Sequence, residues 1–166
     1  MALAFRVLLL LCGIGGLVTG ALSEEYTKKC KERSCPKGWY LLNDRCFIFI
    51  DQLRDFADAE DICLLKGGNL ASIRNALENA LVNALIMQAG REDNSTWIGF
   101  HDTLQEGNNL WTDGYKFKFS DFVPGQPDNF LGIEDCGEIN RRNKWNDDSC
   151  LDLNYFVCAK DVKCEH

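Results

Sequence analysis

The chain has 166 residues, nine cysteines and a formal charge of −7, set by 18 basic and 25 acidic residues. That acidic balance argues against a nucleic-acid partner, and no second apolar stretch long enough to cross a bilayer follows the opening segment. Once a leader is removed, the remaining length suits one domain with room for a core.

Residues 1–20, MALAFRVLLLLCGIGGLVTG, place Arg6 before an apolar run that ends in small residues, the layout of a secretory signal peptide cleaved near Gly20. Gly13, Gly15 and Gly16 interrupt the run and weaken a membrane-span reading, so a secreted chain with no transmembrane anchor is expected. Loss of Arg6 leaves 17 basic residues against 25 acidic, a charge of −8. Loss of Cys12 leaves eight cysteines, an even number that in an exported chain implies disulfides rather than thiols or a zinc cluster.

Residues 21–34 read as a polar, extended lead-in whose basic KKCKER run is solvated surface more often than a contact for an anionic glycan. CPKGWYLLNDRCFIF then alternates apolar residues about Asn43 and Asp44, which predicts a hairpin. DFADAEDICLLKGGN predicts a first helix with Phe56, Ala59, Ile62 and Cys63 on its apolar face and a stop at Gly67 and Gly68. NALENALVNALIMQ, residues 75–88, predicts a second, capped by Ser72 or Asn75, with Leu77, Ala80, Leu81, Ala84 and Leu85 facing inward. Beyond Gly90 come short strand-like pieces, TWIGF, LWTD and YKFKF, and a further strand pair at KWND and NYFVCAK. Residues 121 to about 143 read as a long polar loop, a length that in a compact domain points to function or disorder. Helices early and strands with long loops late predict an α+β domain.

Several single features carry less. Asn94-Ser95-Thr96 is an N-glycosylation sequon, but it leads directly into the apolar WIGF. Trp39, Trp97, Trp111 and Trp145 are expected as core and frame residues. His101-Asp102 matches the dyad of small calcium-dependent secreted phospholipases, yet their flanking cysteines are missing and neighbours on a strand face opposite ways. The other histidine is His166, and no serine or cysteine nucleophile with a paired histidine is evident, so no enzymatic activity is expected. The acidic residues clustered between 128 and 148 suit either a bound cation or a solvated loop.

The series CPKGWYLLNDRCF, GGNLASI, WIGF, LWTDG, QPD, EDC, KWNDDSC and FVCAK resembles, in order, the motifs of C-type lectin domains over residues 35–160, leaving 161–166 as a tail. Within that family the chain is most similar to small secreted galactose- or lactose-binding lectins of fish. The resemblance implies a C-type lectin-like α+β fold of two helices, small antiparallel sheets and a long calcium-binding loop region. It implies disulfides Cys35 with Cys46, Cys63 with Cys158, and Cys136 with Cys150. Cys30 and Cys164 remain; they pair with each other or with a second chain, the internal bond being favoured.

The same resemblance implies a primary Ca2+ site at Gln126, Asp128, Glu134, Asn146 and Asp147, residue types that supply the oxygens calcium requires. Pro127 is expected after a cis bond, which would let its neighbours converge on one ion. Two vicinal sugar hydroxyls would complete the coordination while bonding to the same side chains, so Gln126, Asp128, Glu134 and Asn146 also serve as carbohydrate ligands. In the family, Gln-Pro-Asp goes with galactose-type and Glu-Pro-Asn with mannose-type ligands. Phe130 either stacks on galactose or is an ordinary phenylalanine. Only Leu131, Gly132 and Ile133 separate it from Glu134, in place of the glycine-rich insertion of galactose-binding relatives, so exclusion of mannose is expected to be incomplete. An auxiliary calcium site is implied at Asp102, Glu106, Asn129, Glu134 and Asp135, weakened by the neutral Asn129. The expected function is a calcium-dependent lectin for galactose-containing glycans, acting as a homo-oligomer in defence, agglutination or toxicity. Its rival is the same fold turned to a protein ligand or to ice.

Overall fold

A computed structural model of the chain describes residues 34–140 and 143–162. The expected leader, the lead-in up to residue 33, Cys30 and Cys164 lie outside the described residues. The predicted hairpin forms from β1 (Tyr40–Leu42) and β2 (Arg45–Arg54), with Asn43 at φ 55° reversing the chain between them. Asp55 then caps α1 (Phe56–Leu65) by accepting from Asp58 N at 2.8 Å. The helix stops where Gly68 N donates back to Cys63 O at 3.0 Å, and a Cβ on Gly68 would lie 2.3 Å from the carbonyl of Ala159. After β3 (Asn69–Leu70), Asn75 is the residue that caps α2 (Ala76–Gln88), accepting from Leu77 N and Glu78 N at 3.0 Å each.

The remaining strands are β4 (Thr96–His101), β5 (Leu110–Trp111), β6 (Glu134–Ile139), β7 (Trp145–Ser149) and β8 (Asn154–Asp161). They join into one ladder, β1-β2-β8-β4-β6-β7, with β3 beside β8 and β5 beside β4. Every pairing is antiparallel except β4 with β8. Alternation along β8 buries both faces: Phe156 and Cys158 pack with Phe56, Ala59 and Cys63 of α1, while Val157 and Ala159 pack with Val82, Leu85 and Ile86 of α2. Among the described residues, three disulfides, Cys35–Cys46, Cys63–Cys158 and Cys136–Cys150, are the pairs implied by the resemblance.

Four local expectations are corrected. The strands at KWND and NYFVCAK form, but not with each other: β7 pairs with β6, and β8 with β2, β3 and β4. YKFKF is not a strand; its alternation turns Phe117 and Phe119 onto the aromatic cluster without a neighbouring ladder. The region read as loop from 121 to 143 contains β6, which pairs with β4 and β7 despite its acidic start. The buried face of α2 is Glu78, Asn79, Val82, Leu85 and Ile86, while Leu77 is 58% exposed and Ala80 and Ala84 face solvent.

The physical reason for the last correction is that α2 buries polar partners. Glu78 Oε2 pairs with Arg45 Nη1 at 2.7 Å, with the two side chains 5% and 2% exposed, and also accepts from Arg74 N at 2.8 Å. Asn79 accepts from Trp145 Nε1 at 2.9 Å and donates to Asp121 Oδ2 at 2.7 Å. Breaking one side of a buried ion pair strands the other charge, so Glu78→Ala is expected to cost about 3–5 kcal/mol in denaturant unfolding. Leu77→Ala is expected to cost less than about 0.5 kcal/mol in the same measurement, the reverse of the order implied by an inward Leu77.

Candidate metal and ligand site

Trp145 fixes the floor of the site. Its buried ring packs edge-on against Trp111, Phe119 and Phe122 at 5.5–5.6 Å between centroids. Its backbone exchanges bonds with the opposite loop, Trp145 N to Asp121 O at 3.0 Å and Val123 N to Trp145 O at 2.9 Å. The next two residues of β7 are Asn146 and Asp147, so core packing determines where they stand.

Asp147 is 2% exposed, and its carboxylate accepts from Asp128 N at 3.2 Å and Asn129 N at 2.7 Å. Backbone reversals follow: the Gln126–Pro127 bond is cis, and Asn129, Leu131 and Gly132 have positive φ around the short 3-10 turn Phe130–Gly132. The turn closes on Glu134, which accepts from Phe130 N at 3.1 Å while its own N–H donates to Asn129 Oδ1 at 3.1 Å. As a result, carboxylate oxygens of Asp128, Glu134 and Asp147 all lie within 4.8 Å of one another. Gln126, two residues before Asp128, keeps a buried Oε1 with no hydrogen-bond partner. Asn146 directs its amide nitrogen to Glu138 Oε1 at 3.3 Å.

A second acidic group adjoins the first. Oxygens of Asp102, Glu106 and Asp135 also lie within 4.8 Å of one another, and Asp102 Oδ1 is buried without a partner. Asn129 joins the two groups, since its Nδ2 donates to Glu106 Oε2 and its Oδ1 takes Glu134 N. His101 bonds Thr103 Oγ1 at 3.0 Å, and the other oxygen of Asp102 takes Gly107 N at 2.8 Å, so no hydrogen-bonded dyad forms. Burial lowers the His101 pKa, with Asp102 and Glu60 opposing as nearby charges.

Like charges at such separations repel unless a proton or a cation intervenes. Burial raises the Glu134 pKa, and the charges of Asp147, Asp148 and Asp128 add to it against the bond from Phe130 N. The donor set is all oxygen, from carboxylates and an orphaned amide, which suits a hard divalent cation rather than a thiolate- or imidazole-seeking metal. These residues fit such an ion.

Sequence reasoning missed Glu138. It is 3% exposed on β6 and accepts from Asn146 Nδ2 and, at 3.2 Å, Asn154 Nδ2. Burial above all, with the Asp148 charge adding, pushes its pKa up to about 7, while hydrogen bonds from Ser95 and Asn146 act the other way. Alternation along EDCGEI could not have flagged it, because the register slips between Glu134 and Cys136: Glu138 pairs with Asn146 and Glu134 with Ser149, residues on opposite faces of β7.

The chain matches the family described as Lectin C-type domain over residues 52–160. It is 42% identical over 130 residues to galactose-specific lectin nattectin of Thalassophryne nattereri, covering 78% of this chain and 82% of the relative. Among solved structures it is similar to the C-type lectin CEL-I of Cucumaria echinata, with TM-score 0.73, 29% identity, and coverage of 80% of this chain and 99% of the other. It is also similar to herring type II antifreeze protein, with TM-score 0.71, 33% identity, and coverage of 78% and 100%.

The Glu138 carboxyl gives a pH signature. The folded state holds its proton up to about pH 7, whereas the ordinary value is 4.5, so the native state binds more protons across that interval and stability falls as pH rises through it. In chelator, wild-type protein is expected to lose up to a few kcal/mol between those limits and level off above them. Glu138→Gln is expected to flatten the slope in urea unfolding at a series of pH values.

Proposed function

The chain belongs to the C-type lectin domain family, and from that membership we propose a secreted, calcium-dependent lectin for galactose- or lactose-type glycans, formed by a domain at residues 35–160 behind a cleaved 1–20 leader. The observation that carries the reading is the meeting of Asp128, Glu134 and Asp147, with a buried, unpartnered Gln126 Oε1 two residues before Asp128 in the same loop. Those four residues with Asn146 would hold the primary ion; Asp102, Glu106, Asn129 and Asp135, with Glu134, would hold an auxiliary one. Bound calcium supplies open coordination positions for two neighbouring sugar hydroxyls.

The chain's own groups set the preference. An amide can donate where a carboxylate only accepts, so Gln126 before the proline and Asp128 after it present a diol with a donor on one arm and an acceptor on the other. Phe130 is 61% exposed beside this pair and offers a ring to the apolar face of a hexose. Nattectin's description as galactose-specific agrees with that order. One shallow site binds weakly, so useful avidity requires several sites in a homo-oligomer. Asn94 is exposed and open to glycosylation, and no catalytic role is assigned. Similarity to an antifreeze protein keeps an ice-binding reading in view, and it makes an opposite prediction: thermal hysteresis without retention on sugar.

On lactose–agarose with calcium, the protein is expected to be retained and to elute with chelator or free galactose. Asp128→Ala is expected to abolish retention yet change stability by under about 1 kcal/mol, because the side chain is exposed. Retention is also expected to fail near about pH 4, where protons compete with the cation for carboxylates. Passage of wild-type protein through the column in calcium would reject the sugar reading, and a monomer in sedimentation would reject the oligomer.

A further inference from the structure

The turn between Asn129 and Glu134 presents a run of apolar residues to water. Phe130, Leu131, Gly132 and Ile133 are all exposed, with Phe130 61%, Leu131 77% and Ile133 55% accessible. Single exposed hydrophobic residues are ordinary, but a consecutive run is unfavourable in a free soluble chain unless something covers it in use. The run also carries strain. Leu131 holds φ at 58°, in the left-handed region that disfavours leucine and suits glycine. The free protein gains little burial from that side chain in return.

The turn is closed by its own bonds: Gly132 N donates to Asn129 O at 2.8 Å, Phe130 N to Glu134 Oε2 at 3.1 Å, and Glu134 N to Asn129 Oδ1 at 3.1 Å. The apolar run is therefore part of the same turn as Glu134, whose carboxylate meets those of Asp128 and Asp147. Charge limits what covers it. The chain carries a formal charge of −7, and the carboxylates of Asp102, Glu106 and Asp135 form a second group joined to the first through Asn129. An anionic lipid surface is repelled by such a face, whereas a neutral headgroup is not.

We infer that Leu131 and Ile133, with Phe130, form an apolar rim that enters the boundary between headgroups and acyl chains of a bilayer when the adjoining site holds the neutral galactosyl headgroup of a membrane lipid. This rests on the sugar reading and names the source of the sugar, a lipid in a membrane. Interfacial segments bury their apolar faces about 5–10 Å into that boundary, a depth that side chains next to a headgroup site reach. One shallow sugar site is weak, and so is one short apolar anchor. Joined in a single turn, each makes the other contact intramolecular, so the two affinities reinforce.

The test uses the chain as a secreting host exports it, in calcium. Flotation is measured with vesicles of phosphatidylcholine alone, with added galactosylceramide, and with added phosphatidylserine, alongside lactose affinity by calorimetry. Binding to the galactosylceramide vesicles alone is expected. Leu131→Gly combined with Ile133→Ser, which spares Phe130 and every candidate ligand, is expected to weaken that binding about tenfold or more and to leave lactose affinity within about twofold. Unchanged flotation of the variant, or equal losses for vesicles and lactose, would overturn the rim. Wild-type binding to phosphatidylserine vesicles would overturn the neutral headgroup, and an oligomer reduced to monomer by the substitutions would give the run to a second copy instead. Lactose affinity without flotation would overturn this inference alone, and absence of both would overturn the sugar reading with it.

Discussion

The acidic site depends on a buried carboxylate, Asp147, holding the backbone of a loop nineteen residues earlier. Burying such a group is costly unless its oxygens are satisfied, and here the N–H groups of Asp128 and Asn129 satisfy them. The bond works in both directions. It makes burial of the carboxylate tolerable, and it fixes a stretch with a cis peptide and several left-handed residues that carries little regular structure of its own. Asp147 is in turn held in place because Trp145, two positions before it, is locked by its ring neighbours and by Asn79. Site geometry is therefore inherited from the aromatic core around Trp145, with α2 contributing the Asn79 bond to its indole N–H.

Covalent bonds frame the same region. Cys136–Cys150 links β6 to the end of β7, the two strands that carry Glu134, Glu138, Asn146 and Asp147. Cys63–Cys158 spans 95 residues and ties α1 to β8, a closure worth about 4–5 kcal/mol if disulfides act mainly by restricting the unfolded chain. Gly137 permits close packing behind the site, since a Cβ there would lie 2.1 Å from Phe100 Cδ1. A rigid frame of this kind allows three carboxylates to stay near one another without the loops moving apart.

Legibility in the sequence followed how local each determinant is. The Asn43 turn, the Asn75 cap and the GlyGly stop are short-range features, and they place the hairpin and both helices. The candidate ligand set came from the resemblance to family motifs, because acidic residues clustered between 128 and 148 suit a solvated loop equally well; the meeting of Asp128 and Glu134 with Asp147 is made by bonds across the fold that the sequence does not display. The inward face of α2 was not legible, since hydropathy periodicity assigns Glu78 and Asn79 to water while their partners, Arg45 and Trp145, are 33 and 66 residues away. β6 was hidden for a similar reason. Its acidic opening resembles loop, and its strand character comes from pairing with β4 and β7. YKFKF is the converse: it has a strand's alternation but no edge to pair with.

Unsatisfied buried groups divide along the same lines, and the division separates binding surfaces from ordinary imperfections of packing. Thr96 Oγ1 and Trp111 Nε1 also lack partners, but each is a single neutral group inside a packed core. Asp102 Oδ1 differs because it belongs to a carboxylate whose neighbours Glu106 and Asp135 bring their oxygens within 4.8 Å, and Gln126 Oε1 differs because it lies in the loop that carries Asp128. An orphaned group becomes informative when its neighbours share an uncompensated charge and space remains for what would neutralise it. By that criterion the loop cluster carries a deficit of positive charge, since Asp128, Glu134 and Asp147 converge there and Asp102, Glu106 and Asp135 converge beside them.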